Sequence, residues 1–239
     1  MVNKIIENIK ELVEIEKREV LRYLQYKNQN INEDLLKTIE ESIEHTRKII
    51  NPKFIFRKYP IKRVVNKYNK KQVIFPKVNL TLESDDIYNL FEECDECILM
   101  AATLGLEIER EIRKLTYVNL TKGVIVDACA TTAIEEVCDI VQDNIGRELL
   151  REDKYITYRY SPGYGDLSIE KNIDINNVLN SHKEIGLTVN ENGIMIPRKS
   201  VVALIGISNK NTKNTKKSCD NCNNRQNCQY KKEGYSCGD

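Results

Sequence analysis

The sequence predicts an α+β fold with a mainly antiparallel sheet, and two observations carry that expectation. Helical and strand-like segments are intermixed without the regular βαβ alternation that a parallel sheet needs. One segment, 120–150, keeps Val126, Ala130, Ala133, Val137, Ile140, Val141 and Ile145 in a single stripe at helical spacing. Such a stripe belongs to a long helix laid on a core.

The elements follow in chain order. Ile5, Ile6, Ile9, Leu12, Val13, Ile15, Val20, Leu21 and Leu24 recur at helical spacing and predict a helix over 3–26. A second helix is predicted over 33–49, capped by Asn32 and stopped at Asn51-Pro52. β-Branched and aromatic residues predict strands over 53–59 and 72–81. Ser84-Asp85-Asp86 opens a helix running to 96, and 97–103 reads as a short buried strand. Gly105 precedes a charged helix over 106–115. The helix over 120–150 starts among small apolar residues, so it should be buried at its start and wet at its end. A strand over 155–159, a tight loop over 161–166 and a helix over 173–184 ended by Gly186 come next. Three strands follow, over 187–190, 194–196 and 200–207. The run Asn-Lys-Asn-Thr-Lys-Asn-Thr-Lys-Lys over 209–217 is a linker by composition. The chain therefore divides into an N-terminal helical segment (1–50), a main domain (51–208), and a linker with a Cys-rich tail (209–239).

Composition narrows the function. The chain has 239 residues, with 37 Lys plus Arg against 36 Asp plus Glu, so no global field favours nucleic acid or an anionic membrane. The longest apolar runs, such as 98–102, are too short to span a bilayer. The first residues carry no signal-peptide core, and a cytoplasmic protein is expected. His45 and His182 lack a partner at ligand spacing. No nucleophile elbow, phosphate loop or dinucleotide fingerprint is present, and no autonomous catalytic constellation stands out.

The most informative segment is Arg159-Tyr160-Ser161-Pro162-Gly163-Tyr164-Gly165-Asp166. An Arg leaving a strand presents a planar fork suited to a carboxylate. Gly163 permits close approach of a ligand to the backbone, and Tyr164 offers a flat face. From this segment alone a plain turn with an exposed Arg and a packing Tyr is the simpler reading.

Arg-x-x-x-Gly-Tyr resembles the signature loop of the activation domain of cobalamin-dependent methionine synthase. Downstream, Ile185 to Val201 is similar to that family's second block: a Gly, a strand, an acidic turn, Met195-x-Pro197, and Ser200 before the last strand. Upstream, the Ala-rich helix with Glu135 resembles the family helix that precedes the loop. The resemblance covers roughly 85–208. It implies a curved antiparallel sheet flanked by helices, with S-adenosylmethionine as ligand in the domain over 51–208. Arg159 would pair with the ligand carboxylate, Ser161 and Gly163 would line the adenosyl group, and Tyr164 would pack on it. Glu135 would accept hydrogen bonds from the ribose or the ammonium, though a residue opposite the apolar stripe also simply faces water.

The resemblance further implies a free-standing module for reductive methylation of a cobalamin-dependent methionine synthase. The cobalamin would sit on a partner synthase chain lacking its own activation domain. A one-electron donor such as flavodoxin or ferredoxin would supply the electron. Reactivation of another corrinoid methyltransferase fits the same residues. A zinc-knuckle nucleic-acid-binding protein is the alternative outside this class, opposed by the net charge of +1.

The tail reads Cys219-x2-Cys222-x5-Cys228-x8-Cys237. Four thiolates so close can hold one zinc ion or an iron–sulfur cluster, or remain free thiols. Cys94-x2-Cys97 reads as a ligand or redox pair or, more simply, as small core residues; Cys129 and Cys138 read as packing.

Overall fold

The computed structural model describes residues 8–27 and 29–211. In chain order the helices are α1 (Ile9–Leu12), α2 (Lys17–Tyr23), α3 (Glu33–Ile49), α4 (Asp85–Leu90), α5 (Leu106–Val118), α6 (Leu120–Leu150), α7 (Lys171–Leu179) and α8 (Ser181–Glu184). The strands are β1 (Lys53–Pro60), β2 (Lys62–Val65), β3 (Lys71–Phe75), β4 (Leu80–Glu83), β5 (Cys94–Thr103), β6 (Tyr155–Ile156), β7 (Thr188–Val189), β8 (Met195–Ile196) and β9 (Ser200–Ser208).

The central sheet is antiparallel, in the order β1-β5-β9-β6. Its two inner strands are apolar almost throughout because both faces are covered. Alternation sorts their side chains. Ile98, Met100 and Ala102 join Ala203, Ile205 and Ile207 in one core with α6 and the N-terminal helices. Cys97, Leu99 and Ala101 join Val202 and Leu204 in the other, under the β2-β3-β4 sheet, α4 and α7. Residues Ile9, Val13, Ile15, Val20, Ile39 and Ile50 belong to the first core, so the N-terminal segment packs directly on α6.

The caps form as read. Asn32 Oδ1 accepts from Leu35 N at 2.9 Å, and Ser84 Oγ accepts from Ile87 N at 3.1 Å. Asn119 caps α6 in the same way, through Lys122 N at 3.1 Å. The last turn of α5 touches the first of α6 at Gly123, where a Cβ would lie 3.1 Å from Thr116 N.

Several boundaries differ from expectation. The first helix breaks into α1 and α2, because Val13 and Ile15 are buried in alternation between exposed Glu14 and Glu16. The strand expected over 72–81 is a hairpin, since Pro76 has no N–H to continue a ladder. β2 was absent from the expectation. The helix from Ser84 ends at Leu90, and β5 starts earlier, at Cys94. The helix over 173–184 breaks at Asn180, which is left-handed at φ 58°. β6 ends at Ile156, and the Thr157 N to Gly206 O bond at 3.0 Å and the isolated bridge Tyr160–Leu204 continue its pairing. Among the described residues no helix is long and apolar enough to cross a membrane.

Candidate ligand-binding site

The exposed face of α6 carries Asp127, Thr131, Glu135 and Asp139, each one turn after the last. By helical rise the row is about 18 Å long. Two cations reach it from the sheet. Lys199, just before β9, donates to Asp127 Oδ1 at 2.9 Å and to Thr131 Oγ1 at 2.7 Å. Arg159, between β6 and the Tyr160 bridge, donates from Nη1 to Asp139 Oδ1 at 2.6 Å and to Gln142 Oε1 at 3.2 Å. Its Nη2 reaches Glu135 Oε2 at 3.3 Å.

Arg159 is the buried member of this cluster. Its side chain is 15% exposed, against 48% for Glu135 and 60% for Asp139. Burial works against its charge, but Cys138, Asp139 and Glu135 outweigh that and hold its pKa above the usual value. The guanidinium expected to await a carboxylate is thus already covered by two carboxylates of α6.

The loop after Arg159 is tied to the opposite core. Tyr160 pairs with Leu204 through both backbone bonds, at 2.8 and 3.0 Å. Its hydroxyl donates to Asp86 Oδ2 at 2.9 Å and lies 3.1 Å from Tyr164 O. Burial, then Asp86, pushes the phenol well above its ordinary pKa. Asp166 accepts from Asp85 N at 2.6 Å and from the Ser84 hydroxyl, so it holds the N-terminus of α4. Gly163 turns at φ 94° and donates to Leu167 O at 2.8 Å. Gly165 is left-handed at φ 52°, and a Cβ there would lie 2.0 Å from Asp86 Oδ2 and 2.2 Å from Tyr160 Oη. This anchoring leaves the Tyr164 ring 62% exposed and Ser161 half-buried.

A groove of about 310 Å³ lies between the end of α2 and the start of the acidic row. Tyr23, Leu24 and Gln25 form one wall; Val124, Asp127, Ala128 and Thr131 form the other. Tyr23 feels Glu135: burial and that carboxylate raise its phenol pKa. The groove therefore opens beside the Arg159 cluster, on one helix face. A wider hollow of about 480 Å³ on α3, lined by Glu40, Glu41, Glu44, His45, Lys48 and Lys122, gathers none of the loop residues.

Of the residues expected in the site, Arg159 and Glu135 meet directly. Ser161, Gly163 and Tyr164 lie on the adjoining loop. Asp127, Thr131, Asp139, Gln142, Lys199 and Tyr23 were missed. The four-residue spacing of Asp127, Thr131, Glu135 and Asp139 was a readable signal for three of them. Tyr23 and Lys199 had none, since only folding brings them to α6.

The body cysteines are packing residues. Burial raises the Cys94, Cys129 and Cys138 thiols to about 12 and lifts Cys97 well above its ordinary range. Cys219, Cys222, Cys228 and Cys237 lie outside the described residues. Among the described residues no group of three or more His, Cys, Asp or Glu is arranged to hold a metal ion.

Residues 121–233 match the family described as vitamin B12 dependent methionine synthase, activation domain. That match begins with α6 and runs beyond 208, through three of the tail cysteines. Among solved structures the chain is similar to one described as the crystal structure of the MetH reactivation domain bound to AdoHcy. The TM-score is 0.59 at 15% identity, over 95% of this chain and 80% of that one. At that identity the likeness establishes the fold, and the α+β expectation holds. A comparison with curated proteins finds no match.

Proposed function

Residues 121–233 carry the sequence pattern of the vitamin B12 dependent methionine synthase activation-domain family, and from that premise we propose that the chain binds S-adenosylmethionine to serve reactivation of a corrinoid enzyme. The observation that carries this reading is the buried Arg159 fork beside Glu135, one turn beyond a groove of about 310 Å³. The relative was solved with AdoHcy, a ligand of the same class.

The donor set fits the ligand. Arg159 would take the amino-acid carboxylate, the anion its planar fork matches best. Glu135 would accept from the ammonium or the ribose. The adenosyl group would extend along α6 toward the groove, where Tyr23, Leu24, Val124 and Ala128 offer apolar walls and Asp127 and Thr131 polar edges. Ser161 and Gly163 would line the loop side, and the exposed Tyr164 ring would pack on the ligand.

When bound, S-adenosylmethionine supplies the methyl group that restores an oxidised cobalamin after one-electron reduction. This chain's residues need only fix the ligand's two ends, which is work of positioning rather than acid–base chemistry. The cobalamin would come on a separate synthase chain, and the electron from a flavodoxin or ferredoxin.

Calorimetric titration of the full chain with S-adenosylmethionine tests the reading. One site per chain is expected, with competition by S-adenosylhomocysteine. Heats of dilution alone, at millimolar ligand, would end it.

A further inference from the structure

We propose that Asp139 acts as a built-in stand-in for the ligand carboxylate and holds Arg159 ready until the ligand displaces it. This inference rests on the site proposed above and names how that site is regulated. The Asp139 carboxylate makes the shortest bond to the guanidinium, 2.6 Å at Nη1, and it is the most exposed group in the cluster. The guanidinium itself is 15% exposed. A solvent-borne carboxylate therefore meets Asp139 first and competes for the same nitrogen.

The geometry makes displacement cheap. Asp139 leaves toward water, where its charge is solvated, so no buried carboxylate is stranded. Gln142 and Glu135 keep their bonds to Nη1 and Nη2 and hold the arginine in place during the exchange. The arrangement keeps a buried cation paired in the empty site. In return, a ligand carboxylate must outcompete a tethered one.

The sign of the expected effect is unusual. Removing an acidic residue from a site for a cationic ligand would ordinarily weaken binding. Here Asp139→Ala should tighten S-adenosylmethionine binding about ten-fold, the effect of removing one competing charged hydrogen bond. Asp139→Asn, which still accepts but without charge, should fall between. Decarboxylated S-adenosylmethionine has nothing to place on Arg159, so Asp139→Ala should not tighten its binding.

Calorimetry of the wild-type chain and both variants with both ligands decides the matter, with thermal melts confirming that each variant folds. Unchanged or weaker S-adenosylmethionine binding in Asp139→Ala overturns the proposal. So does equal tightening of both ligands, because the effect would then not pass through the carboxylate. Failure of every chain to bind either ligand removes the site reading itself, and this inference with it.

Discussion

Two cations reach the same face of α6, and they are held differently. Lys199 is anchored at both its backbone and its tip. Its carbonyl accepts from Leu104 N at 3.0 Å, and its ammonium is spent on Asp127 and Thr131. Arg159 stands between the Thr157–Gly206 backbone bond and the Tyr160–Leu204 bridge, and the three hydrogen bonds of its side chain use only Nη1 and Nη2. The two side chains are equally buried, 16% and 15% exposed. Burial does not separate them; donor geometry does. An ammonium is a point charge with three donors, whereas a guanidinium offers five in a plane. The comparison teaches that Lys199 closes the sheet onto the helix, while Arg159 retains the capacity to bind a planar anion.

The sharpest way to break this contrast is Arg159→Ala. It should weaken S-adenosylmethionine binding more than 100-fold, about 3 kcal/mol, as loss of a buried charge-assisted partner does. The fold should persist, because Glu135 and Asp139 are half-exposed and can turn to water. Retained affinity in a folded variant would take Arg159 out of the site and leave the two cations equivalent.

Next in size is Gly165→Ala, which tests whether the loop's anchoring sets Arg159's placement. The added Cβ meets the Asp86 carboxylate and the Tyr160 hydroxyl, and the backbone there is left-handed. The Tyr160–Asp86 bond must break or the loop must shift. Binding should weaken about ten-fold while the melting temperature falls only a few degrees, since the strain is local to an exposed loop. Unaltered affinity would show that Arg159 is placed by its neighbours on α6 alone.

How much of this was legible depended on range. Asn32 and Ser84 were readable as caps because a cap acts within three residues of itself. α6 was readable because its stripe repeats along its length. The break at Val13–Ile15 was not, since Ile9, Leu12 and Val13 keep the i, i+3, i+4 spacing of a helical stripe up to the break. β2 hid because Lys62 and Arg63 are half of it and its pairing partner is a hairpin away. In the site the same rule holds. Arg159 and Glu135 were found through motif and helix. Asp139, one turn from Glu135, was overlooked although the spacing announced it. Lys199 and Tyr23 come to α6 from opposite ends of the chain, and no local pattern encodes that meeting.

The smallest effect is expected of Lys199→Met, and it sharpens the comparison from the other side. Met keeps the stem's length and apolar packing while removing the charge. The ion pair with Asp127 is half in water, because Asp127 is 51% exposed, and solvent screens much of its strength. The loss should be about 1 kcal/mol, read as a few degrees in melting temperature. Asp127 would turn outward, and Thr131 would keep its bond to the Asp127 carbonyl at 2.9 Å. S-adenosylmethionine affinity should stay within about two-fold of wild type, well under the 1.4 kcal/mol that a ten-fold change requires. A large loss of affinity with the melt unchanged would mean that Lys199 touches the ligand, and the groove's polar edge would then be a second anchor rather than a wall.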